Sequence, residues 1–121
     1  MVSQLELFHR NFDLFKEINN IGESSNITNP SIWLSIDCFL LKYINHLSRE
    51  CSILNIINDY GISKAVICLM NFYKNDLRID YLKTDGEILN YLSEQDNDKI
   101  NNEIVLAILR EEIGFKGFRQ R

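Results

Sequence analysis

The run Ile104-Val105-Leu106-Ala107-Ile108-Leu109 constrains the fold of this chain more than any other feature. A helix through it is apolar on every side and has no face to give to water. The run is also far shorter than the ~20 residues that cross a bilayer. Other elements must therefore wrap it, and the chain has to supply several amphipathic partners.

Those partners are visible as periodic patterns. Leu5, Phe8, Phe12 and Phe15 recur at spacings of three and four, along one side of a helix. Leu7, Leu14 and Ile18 widen that stripe. Ser3 and Glu6 match a capping box at its start, and Gly22 is the expected stop. Residues 22–29 read as a loop ending at Asn29-Pro30, a cap residue followed by proline at the first helical position. A second helix is expected from Pro30 to about Leu47. Its apolar face carries Ile32, Ile36, Phe39, Leu40, Tyr43, Ile44 and Leu47, with Trp33 on that face or at its edge. Cys51 to Tyr60 reads as a short helix closed by Gly61. Ser63 is placed to cap a helix over Lys64–Lys74, whose stretch Ala65–Met70 is nearly all apolar and should be central. Thr84 and Glu87 form a second capping box before a short helix with Ile88, Leu89, Tyr91 and Leu92. Asp96, Asn97 or Asp98 can cap the last helix, from about Lys99 to Ile113, which Gly114 ends.

One segment is ambiguous. Leu77, Ile79 and Tyr81 alternate with Arg78 and Asp80, a period-two pattern. A small β-hairpin around residues 65–84 is therefore the alternative to helical or irregular structure there. The expected fold is mainly α, a single compact bundle of five or six helices forming one domain over residues 1–121, with residues 113–121 as a basic tail. The chain has 121 residues and is 45% hydrophobic, enough material for such a core.

Chemical motifs are not found. The histidines are His9 and His46, and neither belongs to an H-x-x-x-H or H-E-x-x-H spacing. Cys38, Cys51 and Cys68 form no C-x-x-C pair and are expected to pack as small hydrophobes. His46 follows Cys38 by about two helical turns, roughly 12 Å, too far for a shared metal. No glycine-rich phosphate loop occurs. The Arg-then-His order of small helical HEPN-type nucleases is missing too. These absences lead to the expectation of no catalytic residues, no metal and no cofactor. No signal peptide or long apolar span is seen, so a cytoplasmic setting is expected. The Asn26-Ile27-Thr28 sequon is then a chance match. Abundant Ile and Asn with scarce Pro and Gly suit an AT-rich gene, as in a bacterial mobile element or a virus.

Charge is the informative feature. The net charge is −4. From Thr84 to Glu103 the acids are Asp85, Glu87, Glu94, Asp96, Asp98 and Glu103, with Lys99 the only base. The final stretch, Gly114 to Arg121, holds three basic side chains and no acid, and without it the formal charge is −7. An acidic solvated face with a basic end is the plain interpretation. The functional one is an acidic patch that docks a basic protein, with Tyr81 and Tyr91 as aromatic anchors. Nucleic-acid binding lacks the basic face it needs. Phe115 and Phe118 interleave with the bases of the tail and suggest a segment that packs back on the body.

The ending Ile113-Gly114-Phe115-Lys116-Gly117-Phe118-Arg119-Gln120 resembles the Gly-x-x-Gly-Phe-x-Gln ending of the colicin and pyocin DNase immunity proteins, which are small acidic helical inhibitors. The resemblance covers only that segment. The Tyr-Tyr-Pro toxin-contact motif of the family is missing and the body does not align, so family membership does not follow.

These observations favour a non-enzymatic, acidic protein-binding domain. Its most concrete form is an immunity or antitoxin-type inhibitor that occludes a basic partner such as a bacterial nuclease toxin. The expected partner-binding residues are Asp85, Glu87, Tyr91, Glu94, Asp96, Asp98 and Glu103. No nucleic acid and no membrane are expected as partners. The alternative is an oligomerisation module, a helical homodimer burying the Phe stripe of the first helix. A third reading is a cryptic hydrolase using a Cys–His or carboxylate pair.

Overall fold

The computed structural model describes residues 3–22, 29–76, 79 and 81–114. They form six helices: α1 (Gln4–Ile18), α2 (Pro30–Glu50), α3 (Ile53–Tyr60), α4 (Ile62–Asn75), α5 (Asp85–Ser93) and α6 (Asn97–Glu112). Among the described residues there is no strand, and the chain is an all-helical bundle.

The apolar run dictates the centre. Every residue from Ile104 to Arg110 is buried, so the second half of α6 is covered on all sides. α4 packs against it most extensively, followed by α3 and α2. α2 presents Trp33, Ile36, Leu40, Tyr43, Ile44 and Leu47 to the core. Trp33 belongs wholly to the buried face, at 0% exposure. Arg110 closes this layer. Its guanidinium reaches Asp37 of α2 at 3.3 Å and lies 4.0 Å from the centre of the Phe72 ring.

α1 is attached differently. Phe8, Phe12 and Phe15 meet Phe39 and Tyr43 of α2, with ring centres 4.7–6.3 Å apart. Phe8 and Phe12 are buried by these contacts inside one chain. Leu5 and Phe15, at the two ends of the same stripe, are half-buried. Leu7, Leu14 and Ile18 do not widen the stripe. They face solvent, Ile18 at 77% exposure, because the ring-on-ring seam occupies only one side of the helix.

Several boundaries follow capping chemistry, and others correct the sequence reading. The Ser3 hydroxyl accepts from the Glu6 N–H, and the Asn29 side chain accepts from the Ser31 N–H ahead of Pro30. α1 ends before Gly22, at a Schellman turn. Asn20 sits at φ 57°, and the Ile21 N–H donates to the Lys16 carbonyl. α2 runs one turn beyond Leu47, to Glu50. Ser63 is not a cap, because α4 starts at Ile62 straight after Gly61. Gly61 has φ 106° and ψ 119°, a conformation only glycine adopts readily, and there the chain turns 97° from α3 into α4. Among the described residues no single helix is long and apolar enough to cross a membrane. α3 and α4 pass that test only as a pair, and the same 97° turn separates them.

The hairpin alternative around residues 65–84 is overturned. Residues 65–75 lie in α4, where Ala65, Leu69, Phe72 and Tyr73 are buried at helical spacing against α6. The long-period pattern of that segment outweighs the brief alternation that follows it. Ile79 and Tyr81 to Lys83 are irregular, and Leu77, Arg78 and Asp80 lie outside the described residues.

Candidate functional site

The acids from Asp85 to Glu103 all lie on α5, the turn after it and the first half of α6. Most of them are occupied in holding that corner together. Thr84 and Glu87 form the reciprocal capping box of α5, with the Glu87 N–H donating to the Thr84 hydroxyl at 3.2 Å and the Thr84 N–H to Glu87 Oε1 at 3.1 Å. Asp85 pairs with Lys74 at the end of α4. Asp96 caps α6, accepting from the Lys99 N–H at 2.8 Å. Glu103 accepts from the buried Tyr73 hydroxyl at 3.0 Å. Burial first, then the neighbouring Glu103 charge, hold the Tyr73 phenol well above its ordinary pKa.

Two acids are left over. The Glu94 and Asp98 side chains are exposed and form no ion pair among the described residues. They do not share one recess. Glu94 lines a shallow pocket of about 240 Å³ with Tyr81, Leu82, Glu87, Asn90 and Tyr91. Asp98 lines a separate one of about 420 Å³, with Ser48, Cys51, Ser52 and Asn101 among its walls. Of the predicted binding residues, the structure therefore brings Glu87, Tyr91 and Glu94 together. It sets Asp98 apart and commits Asp85, Asp96 and Glu103 to structural contacts.

The first pocket has an aromatic wall. Tyr81 is 64% exposed, and its ring stands edge-on to Tyr91, with centres 6.4 Å apart and planes at 66°. Tyr91 rests in turn on Tyr73, at 6.0 Å and 87°. Leu82 and Asn90 are pocket residues that sequence reasoning missed. Asn90 was within reach of it, since positions 87, 90, 91 and 94 share one face of α5. Leu82 was not, because it follows an irregular segment with no period.

Elsewhere, His9 Nε2 lies 2.9 Å from Glu112 Oε2 and ties α1 to the end of α6. His46 is exposed, on the far side of Tyr43. The Cys68 thiol lies 3.5 Å from the Tyr60 hydroxyl, whose pKa is raised, chiefly by burial. No thiol–imidazole hydrogen bond is present among the described residues, nor any group of three His, Cys, Asp or Glu side chains able to hold a metal ion. Cys51 and Cys68 pack against the core as expected. Cys38 does not. It is exposed, because it lies on the face of α2 turned away from Ile36 and Leu40.

Comparison with protein-family models, with curated proteins and with solved structures returns no match for this chain.

Proposed function

We propose that this protein is a non-enzymatic binding protein of the immunity or antitoxin type, which occludes a basic partner such as a bacterial nuclease toxin. The observation that carries this reading is the exposed Tyr81 ring set against half-buried Tyr91 in a pocket that also holds Glu87 and Glu94, with Glu94 forming no ion pair among the described residues. Tyrosine offers a large, stiff contact area with a polar tip, and such rings are enriched where binding energy concentrates. Uncommitted carboxylates attract a basic surface from a distance and disfavour acidic ones. The net charge of −4 acts in the same direction. A cytoplasmic and bacterial setting belongs to this proposal.

The test is co-expression with a nuclease-domain protein encoded immediately upstream of this gene. Stoichiometric suppression of the nuclease is expected. The double change Glu94→Lys with Asp98→Lys should slow association about tenfold at low salt and less at high salt. An uninhibited nuclease, or suppression that ignores the charge reversal, overturns the proposal.

A further inference from the structure

We infer that the pocket between Tyr81 and α5 receives an arginine side chain of the partner, with the guanidinium against the tyrosine rings and its N–H groups on Glu87 and Glu94. The inference rests on the occlusion reading and makes its chemistry specific. The pocket holds about 240 Å³, below the roughly 300 Å³ at which sites for whole small molecules begin. One protruding side chain suits it better than a free metabolite.

Each wall matches a part of arginine. Leu82 is buried and offers an apolar surface to the methylene stem. The Tyr81 and Tyr91 rings, edge-on to each other at 66°, both line the pocket and form its aromatic wall, which suits a flat cation. Lys99 Nζ lies 5.9 Å from the centre of Tyr91, a cation of the protein's own that the guanidinium has to displace from that ring. Both capping bonds to Glu87 end on Oε1, at 2.9 and 3.1 Å, so the box holds that carboxylate still while Oε2 accepts no hydrogen bond among the described residues. Glu94, one α5 face-length further on, supplies a second carboxylate. Guanidinium is planar, forks onto carboxylates and stacks on rings, whereas an ammonium is a compact, strongly hydrated point charge. The pairing of rings with two carboxylates therefore favours arginine over lysine.

The probe is a capped Gly-Arg-Gly peptide titrated into the whole chain. It is followed by the NMR signals of the Asn90 side-chain amide and the Tyr81 and Tyr91 rings. Saturable shifts are expected, with the Gly-Lys-Gly peptide binding at least threefold more weakly and the neutral citrulline peptide producing none. Glu94→Gln and Tyr81→Ala, both at exposed positions, should each weaken binding fivefold or more without moving the unfolding midpoint. Absence of saturation, an equal response to citrulline or lysine, or indifference to both substitutions overturns the assignment. Saturation by the arginine peptide in a chain that suppresses no toxin leaves the pocket standing and removes the occlusion reading. Suppression lost on Asp98→Lys but untouched by Tyr81→Ala and Glu94→Gln does the reverse.

Discussion

The two halves of α6 obey different rules. From Ile104 to Arg110 every side chain is buried, and identity is set by the space among α2, α3 and α4. From the Asp96 cap to Glu103 the same element is exposed or half-buried, and its acids act as a cap, a hydrogen-bond acceptor or a charge unpaired among the described residues. In the buried half a residue matters for its volume. In the exposed half it matters for which donor it meets. An acid-rich stretch therefore cannot be equated with a binding face until the acids that close helix ends have been set aside.

That contrast can be broken by substitution, most forcefully in the buried half. Ile108→Ala, at a side chain with no exposure, should cost about 2–5 kcal/mol by urea unfolding, from lost burial plus the cavity left behind. A loss under about 1 kcal/mol would mean that the core around α6 collapses to fill the space. Next in size is Gly61→Ala. A Cβ there would meet nothing closer than Lys64 Cδ at 3.9 Å, so the penalty is backbone strain at φ 106° rather than a clash. About 1–3 kcal/mol is expected, with the α3–α4 turn loosened first in hydrogen exchange.

The polar half should give smaller effects. Thr84→Ala removes one side of the capping box and should cost about 1 kcal/mol. Asp96→Ala should act similarly on α6. Tyr73 joins the two regimes, since a buried phenol donates to Glu103. Its folded pKa is raised above the unfolded value of 10.0. The associated stability is complete below that value and is lost as pH rises through the folded pKa. Unfolding midpoints should therefore be insensitive to this group at neutral pH and fall on the alkaline side of 10, less steeply in Tyr73→Phe. Tyr43 and Tyr60 are shifted the same way and should leave part of the alkaline slope in place. The smallest effect on stability is expected at Glu94→Gln and Asp98→Asn, whose side chains are exposed and unpaired among the described residues. A clear change in midpoint there would show that these acids are structural as well, and the two halves of the corner would no longer differ.

Much of the helix pattern was legible. The Ser3 cap, the Thr84–Glu87 capping box, Asn29-Pro30 and Gly114 mark ends through local hydrogen bonding and backbone preference, which depend on neighbours in sequence. The stop of α1 was misplaced because Asn20, rather than Gly22, took the left-handed position. Asparagine tolerates that conformation, so composition alone does not say which residue adopts it. Arg110 was invisible as a core residue. Its burial depends on Asp37 and Phe72, which reach it from other helices. The candidate site was half legible for the same reason. Tyr91, Glu87 and Glu94 share a helical face that spacing reveals, whereas Leu82 and the ring angle of Tyr81 depend on how the chain enters α5.

By itself, then, the sequence determined that this protein is helical, where most of its N-terminal caps lie and that the Ile104–Leu109 run must be enclosed. Those properties arise from periodicity and from contacts within a few residues. Only the tertiary structure decided that the Phe stripe is sealed by Phe39 and Tyr43, that residues 65–75 are helical, and that two acids of the corner are spent on Lys74 and Tyr73. The Phe seam and the Tyr73–Glu103 bond required partners distant in sequence, and the helix over residues 65–75 required packing against α6, whereas Asp96 is a local cap three residues from Lys99. Periodicity along the chain says which face seeks a partner, but not which partner arrives.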